Sequence, residues 1–565
     1  MANLDNIAKN YSSLINEVKS GQIKIPQFQR NFVWDIRSSA KLIDSIIKGY
    51  PIGTFIFWRT DEELRSVKDI GNISLPKQEK GEFVNYVLDG QQRLTSFFAA
   101  VSGEIIERAD KRKEDFSNIF IDLDASIEND DELVINEIVG KPEFSTIRLT
   151  DLLNADFTFL ASYPVEYQKK LINYQNIIKG YNFNIINLKE ASIDVATEVF
   201  TRLNVGGKAL TLFEIMVAKT YDANINFDLA EKYAILIDEL RDVKYEEISS
   251  ATLLQIIAII IERDCTRKTI LKIDKQEFIK TWEIAVSCLK DSIDYLKSYG
   301  IPVSRLLPYN AILVPFSYFF HKHKYKPTGQ TKKMLDDFFW RISLGNRYSS
   351  GVEGKIAQDI NKIDQIIDSI LPTYEWSIDI SPQFLMHPSV GHFSTSRSYI
   401  KAILCLYAIK KPKSFDNNLD VKIDNSYLKV TTSKNYHHFF PKSWMRKNYP
   451  EKGYNEYNHI LNITIVDDFL NKRQIGAKPP STYMEKFIKD NDEILDTMKT
   501  HLINEIQEFG VLTNDYDLFF KSRALAISQE LSRMIINQET GNEHYEDIPD
   551  FSEEESETEI DELIE

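Results

Sequence analysis

Short apolar runs broken by turn residues alternate with helical periodicity through the first hundred positions of the chain. IKIPQF is followed by RSSAKLIDSIIKGYPIG and then by TFIFW. In the middle run Leu42, Ile43, Ile46 and Ile47 recur at helical spacing, Ser38 and Ser39 stand where a helix start is capped, and Gly49 closes it. Residues 54–58 and 85–88 are β-rich and short, predicting strands. DASIENDDE, residues 124–132, is acidic and poor in apolar positions, which predicts an exposed excursion between strands. From 227 to about 370 the pattern is helical, as in EKYAILIDELRDV and ATLLQIIAIIIERD, and reads as a spacer between two functional ends. Past Pro382 mixed character returns, with a ββα-like stretch between Tyr436 and Lys472 and then helices. No repeat at a fixed period is present. The expected class is α+β, divided into 1–222, a helical connecting region 223–380, a segment 381–540 and an acidic tail 541–565.

Composition narrows the function. The 565 residues, 43% hydrophobic and 27% charged, suffice for roughly three or four domains and exclude disorder of the whole chain. The most apolar run, 251–261, is about half of a bilayer span and meets Glu262 and Arg263 at once. Cys265, Cys288 and Cys405 are scattered, so neither a disulfide framework nor a CxxC zinc site is on offer. With an N-terminus unlike a signal peptide, the expectation is a cytoplasmic protein without a membrane partner. The net charge of −16 looks hostile to nucleic acid until it is divided by region. Residues 543–565 hold twelve carboxylates and no Lys or Arg, which leaves 68 basic against 72 acidic residues elsewhere. Residues 401–480 hold fourteen basic against seven acidic residues, a local +7 suited to a polyanion. The tail is too polar to fold alone and is expected to be disordered, either as a solubiliser or as a competitor with DNA for that basic segment.

Three segments concentrate polar residues at strand-to-turn junctions: 25–30 with Trp34, then 89–93, then 200–204 followed by Gly206 and Gly207. The second, Asp89-Gly90-Gln91-Gln92-Arg93, follows the strand YVL and opens the helical run LTSFFAAV. Gly90 supplies the turn, and the free N–H groups of a helix start, with a guanidinium fork above them, make a phosphate site. The plain structural alternative is that Asp89 caps the helix and Arg93 pairs with a surface acid. There is no GxxxxGK[ST] loop, so phosphates would be held by another arrangement.

In order, IPxFQRxFVW, YPIG, DGQQRLTS and FxRLNxGGKxL, spanning residues 23–218, closely resemble the N-terminal half of the GmrSD family of modification-dependent restriction enzymes. The DGQQR domain of that family is similar to the ParB and sulfiredoxin fold. The resemblance implies that Asp89, Gln91, Gln92 and Arg93 bind and hydrolyse a nucleoside triphosphate, with Gln29, Arg30, Arg202 and Asn204 lining the same pocket. Asp89 would be the carboxylate that works with Mg2+ in hydrolysis.

The other end carries Tyr436-His437-His438-Phe439-Phe440-Pro441, then Asn458-His459-Ile460-Leu461-Asn462-Ile463-Thr464, then Asn471. Three of nine histidines fall within 23 residues. Neighbours on a strand face opposite ways, so both imidazoles serve one site only where the strand twists or ends, as at Pro441. One imidazole could then bind a metal while the other acts as a base near neutral pH. The pattern resembles HNH, or His-Me finger, nucleases of the variant fused to GmrSD-type N-terminal halves. That resemblance implies that His438 activates water, His437 and Asn471 hold one Mg2+ or another divalent metal, and Asn462 braces the loop. Ile463 stands where relatives have Leu, and many relatives carry Asp or Glu where His437 stands. Zinc suits the site less, since no thiol lies near. His387 and His392 read as loop residues, with at most a supporting role.

Both ends together imply an NTP-dependent, metal-dependent DNA endonuclease of bacterial antiphage defence, acting on modified phage DNA. Homo-oligomerisation stays open. A nucleotide-gated DNA-binding switch with an inactive HNH unit is the alternative from another class, and the presence of His438, Asn462 and Asn471 together favours the enzyme. An RNA-targeting toxin shares the residues and differs in substrate.

Overall fold

The early alternation resolves into a mixed sheet and two helices sharing one core. A computed structural model describes residues 3–26, 29, 32–61, 70, 76, 82–107, 112–129, 131–203, 211–222, 225–425, 436–467 and 470–545. Two compact units are present, Met1–Leu229 and Ala230–Glu565. In the first, β1 (Asn3–Asn10), β2 (Ile23–Lys24), β3 (Phe55–Thr60), β4 (Val84–Asp89) and β5 (Asn182–Lys189) lie in the order β1-β5-β3-β4-β2. β1 runs antiparallel to β5, with Asn3 opposite Lys189 and Asn10 opposite Asn182. β5 is parallel to β3, β3 antiparallel to β4, and β4 parallel to β2.

The helices α1 (Ile36–Ile47) and α2 (Gln91–Ser102) bury Ile43, Ile46, Leu94 and Phe97 with Phe55 and Val87 of the sheet. The cap of α1 differs from expectation. Asp35 holds that place, its carboxylate accepting from Ser38 N at 2.7 Å, because a carboxylate one turn earlier reaches the free N–H groups. Ser39 instead is buried against the hydroxyl of Ser96. The acidic excursion lies between the strands Phe120–Asp122 and Val134–Ile135, with one short turn at Ile127–Asn129.

In the second unit the isoleucine-rich run forms the helix Ser250–Glu262, buried at Leu253, Leu254, Ile256, Ile257 and Ile259 against the helices Lys275–Tyr299 and Leu313–Lys322. Among the described residues, no helix is long and apolar enough to cross a membrane. The helical region and the segment 381–540 share this unit. Buried ion pairs stiffen it: Arg341 with Asp337 at 2.9 Å, and Arg347 with Asp359 at 3.2 Å.

One boundary needs correction. Residues 541–545, read from sequence as the start of a disordered tail, are held in place. Gly541 N donates to Tyr374 O at 2.8 Å and Glu543 N to Glu375 O at 3.1 Å, a short parallel pairing, while Tyr545 packs by Trp376 and Arg347. Backbone pairing plus an aromatic anchor outweighs the acidic composition there. The tail from 546 onward lies outside the described residues. Farther back, β6 (Tyr436–His438) and β7 (Ile463–Ile465) pair antiparallel, His437 opposite Thr464 and His438 opposite Ile463, and a π-helical turn, Leu470–Ile475, follows.

Candidate functional site

β4 ends at Asp89 and α2 begins at Gln91, so one residue must turn the chain. Gly90 does this at φ +90°, where an added Cβ would lie 2.4 Å from Phe55 Cδ1. Gly53 (φ +85°), in the YPIG loop, lies closer still: its Cβ would meet Arg93 Nη1 at 2.2 Å. That approach lets the Arg93 guanidinium donate to the carbonyls of Ile52 at 2.7 Å and Thr54 at 3.1 Å, and to the Asp89 carboxylate at 2.9 Å. Gln29 Nε2 donates to Val87 O at 2.9 Å and Leu88 O at 2.8 Å. Val33 N donates to Gln92 Oε1 at 2.9 Å, and Gln92 Nε2 to Gln91 Oε1 at 2.6 Å.

Gln29, Asp89, Gln91, Gln92 and Arg93 are therefore brought together, and their first chemistry is mutual. The motif ties the loop after β2 and the YPIG loop to the end of β4. Asp89 does not cap α2, and the acid paired with Arg93 is Asp89 itself. An anion here would meet the backbone N–H groups at the start of α2 and whatever remains of the arginine fork. The Asp89 carboxylate, 37% exposed, stands beside them. Arg202 lies exposed on α3 (Ile193–Leu203) and pairs with Glu198 at 2.8 Å. Arg30, Asn204, Gly206 and Gly207 lie outside the described residues.

At the other end the two adjacent imidazoles face different partners, as alternation along a strand requires. His437 Nδ1 lies 2.9 Å from Asn471 Oδ1, in a buried setting beside Phe415, Phe439 and Tyr483. Its Nε2 is buried with no partner among the described residues. His438, only partly buried, has Nε2 at 2.9 Å from Asn458 Oδ1. Burial pushes His437 down to about 4, and burial together with the nearby Lys442 charge lowers His438 as well, so both are neutral at pH 7. Asn462, fully buried, accepts from Phe440 N and donates to Phe440 O and Tyr457 O, each at 2.9 Å. It ties the bend just after His438 to the end of the helix Tyr454–Tyr457.

The spacing of Nδ1 and Oδ1 suits a shared cation as well as a hydrogen bond, since it matches the edge between neighbouring ligands of a six-coordinate ion with bonds of about 2.1 Å. Such a pair would supply two neutral donors and leave the rest of a cation's coordination to water. Among the described residues, no group of three His, Cys, Asp or Glu could hold a metal.

Residues 11–221 match the family model of the GmrSD restriction endonuclease N-terminal domain. The match supports a restriction-type endonuclease role with DNA as substrate. Over 598 aligned residues, covering 94% of this chain and 97% of the other, the chain is 26% identical to the uncharacterized protein MJ0686 of Methanocaldococcus jannaschii. The GmrSD match begins at the helix Tyr11–Lys19 and ends just after Leu212–Thr220, taking in β2 to β5 and the whole DGQQR hub. The histidine-bearing strand lies beyond it.

Sequence reasoning gave Asn458 no role and His459 no partner, whereas the structure sets Asn458 against His438 and buries His459. His459 is fully buried, accepts from Leu461 N at 3.2 Å and packs on Phe520. His501, also buried, has Nε2 at 2.7 Å from Lys413 O, which makes that nitrogen a donor. The segment with His387 and His392 clasps this region, with His392 bridged to His459 and Phe393 to Asn458. Its aromatic Phe393 was the available signal.

Burial lowers His459 and His501 to about 3, far below the ordinary histidine value. Both are neutral when folded and protonate below about pH 6.5 when unfolded, so unfolding takes up protons between those values. Stability of the second unit is expected to be full above about pH 6.5 and to fall progressively below it as the unfolded-state histidines take up protons. Urea unfolding at pH 7.5, 6.5 and 5.5 checks this, and a midpoint that does not move would refute it.

Proposed function

We propose that the protein is an NTP-dependent, metal-dependent endonuclease that cuts modified DNA in defence against phage. The observation that carries this reading is the strand-bend-strand-helix array of His438, Asn462, His437 and Asn471 in a chain whose first part matches a restriction endonuclease domain. His438, neutral and partly exposed, takes the proton of an attacking water. Asn462 keeps the bend rigid so that the ring holds its aim. His437 and Asn471 would hold a divalent cation, which when bound supplies positive charge against the scissile phosphate. In the first unit the opening N–H groups of α2 and Arg93 would take the triphosphate, and Asp89 would stand by as the carboxylate of hydrolysis. The hub geometry supports a gating role: Arg93 cannot turn to phosphate without loosening the YPIG loop it now holds.

The test is cleavage by purified protein of phage DNA with glucosylated bases, of phosphorothioate DNA and of plain DNA, with and without NTP and Mg2+. Cutting of a modified substrate only when both are present is expected. Plain DNA cut without nucleotide would sink the gated, modification-dependent reading. Tight binding with no cutting under any condition would point to the switch, and cleavage of RNA alone to the toxin.

A further inference from the structure

Asn458 lies at the end of the short helix Tyr454–Tyr457, 4% exposed, in contact with both His438 and the segment around Phe393. Its Nδ2 donates to Phe393 O at 3.3 Å, and its own carbonyl accepts from Phe393 N at 3.0 Å. A carbonyl oxygen only accepts, so the amide atom facing Phe393 must be the nitrogen. The oxygen is thereby turned to His438, at 2.9 Å from Nε2. That oxygen also only accepts, so Nε2 must carry the proton, and the lone pair falls to Nδ1. The ring of Phe393 meets His438 edge-on at 6.5 Å and Tyr436 at 5.1 Å, fencing the imidazole from a second side.

We infer that Asn458 is a positioning residue, which, oriented by the Phe393 backbone, fixes His438 as the Nε2–H tautomer and makes Nδ1 the nitrogen that receives the proton of water. The inference rests on the nuclease reading and adds to it a relay, Phe393 to Asn458 to His438, that joins the segment 387–393 to the chemistry. The balance is simple: water loses a proton to the Nδ1 lone pair, its oxygen gains the freed pair for attack, and the imidazolium formed keeps its Nε2–H on Asn458.

Two measurements test this on the full-length protein. Nitrogen NMR of histidine-labelled protein, with the His438 signals assigned by their loss in His438→Gln, should show Nε2 protonated and Nδ1 bare at pH 7. The reverse tautomer would overturn the inference whatever the activity. In DNA cutting, Asn458→Leu should lower kcat by about 10-fold to 100-fold with KM little changed, the usual cost of losing an orienting partner. Asn458→Asp still accepts from Nε2–H but loses the Nδ2 donor that holds Phe393 O, so it should recover only part of that loss. Leucine cutting at the wild-type rate would overturn the positioning role while leaving a His438-dependent nuclease standing. Cutting by His438→Ala equal to wild type would instead remove the reading beneath it.

Discussion

Replacing His438 by alanine is expected to lower DNA cutting by about 10²-fold to 10⁴-fold, the usual contribution of a positioned general base. Nucleotide turnover should persist, because the DGQQR hub lies in the other compact unit. The two outcomes separate chemistry from folding. His438 is only partly buried and its ring bonds the Asn458 side chain, so truncation leaves no backbone group without a partner. A plasmid-cutting time course beside a phosphate-release assay on the same preparation is the check. Parallel loss of both activities would show that the variant had failed structurally or that the two sites are one.

Asn462→Ala should have the largest effect on stability. Its amide meets three backbone groups in a buried setting, and alanine would leave Phe440 N–H, Phe440 C=O and Tyr457 C=O without it. A buried polar group deprived of its partner costs about 1–3 kcal/mol, so a total near 2–4 kcal/mol is expected after partial relaxation. Cutting should fall with it, since the bend after His438 loses its pin. Urea unfolding of variant and wild type at pH 7.5 measures the first effect. A loss under about 0.5 kcal/mol, the range of an ordinary surface change, would show that the bend holds without Asn462.

Much of this was legible in the sequence, for physical reasons that differ by element. The α1 stripe of Leu42, Ile43, Ile46 and Ile47 was readable because helical period and burial coincide. Gly90 was readable because a strand directly abutting a helix leaves one residue to turn. Asp35 was missed as the cap because Ser38 and Ser39 looked equally able, and only geometry shows which oxygen reaches the N–H. Arg93 was read for its charge, whereas its bonds to Ile52 and Thr54 depend on a loop some forty positions away that closes only in three dimensions. The His438–Asn458 contact, 20 residues apart, needed the β6–β7 register to be seen. Tyr545 was hidden by its acidic neighbours, since composition averages over a window and an anchor is a single side chain.

The helix Ser250–Glu262 has a consequence for how such variants are compared. Its IIAIII stretch is rich in β-branched residues and carries no charge. Packed, it is harmless. Opened, it is a six-residue window suited to intermolecular cross-β pairing, with no proline and no gatekeeping charge until Glu262. Heating should therefore end in aggregate, so that an apparent melting temperature reports the rate of opening and shifts with scan speed. Were heating to end so, survival at warm temperature would be a matter of kinetics, and reversible comparisons would belong in denaturant.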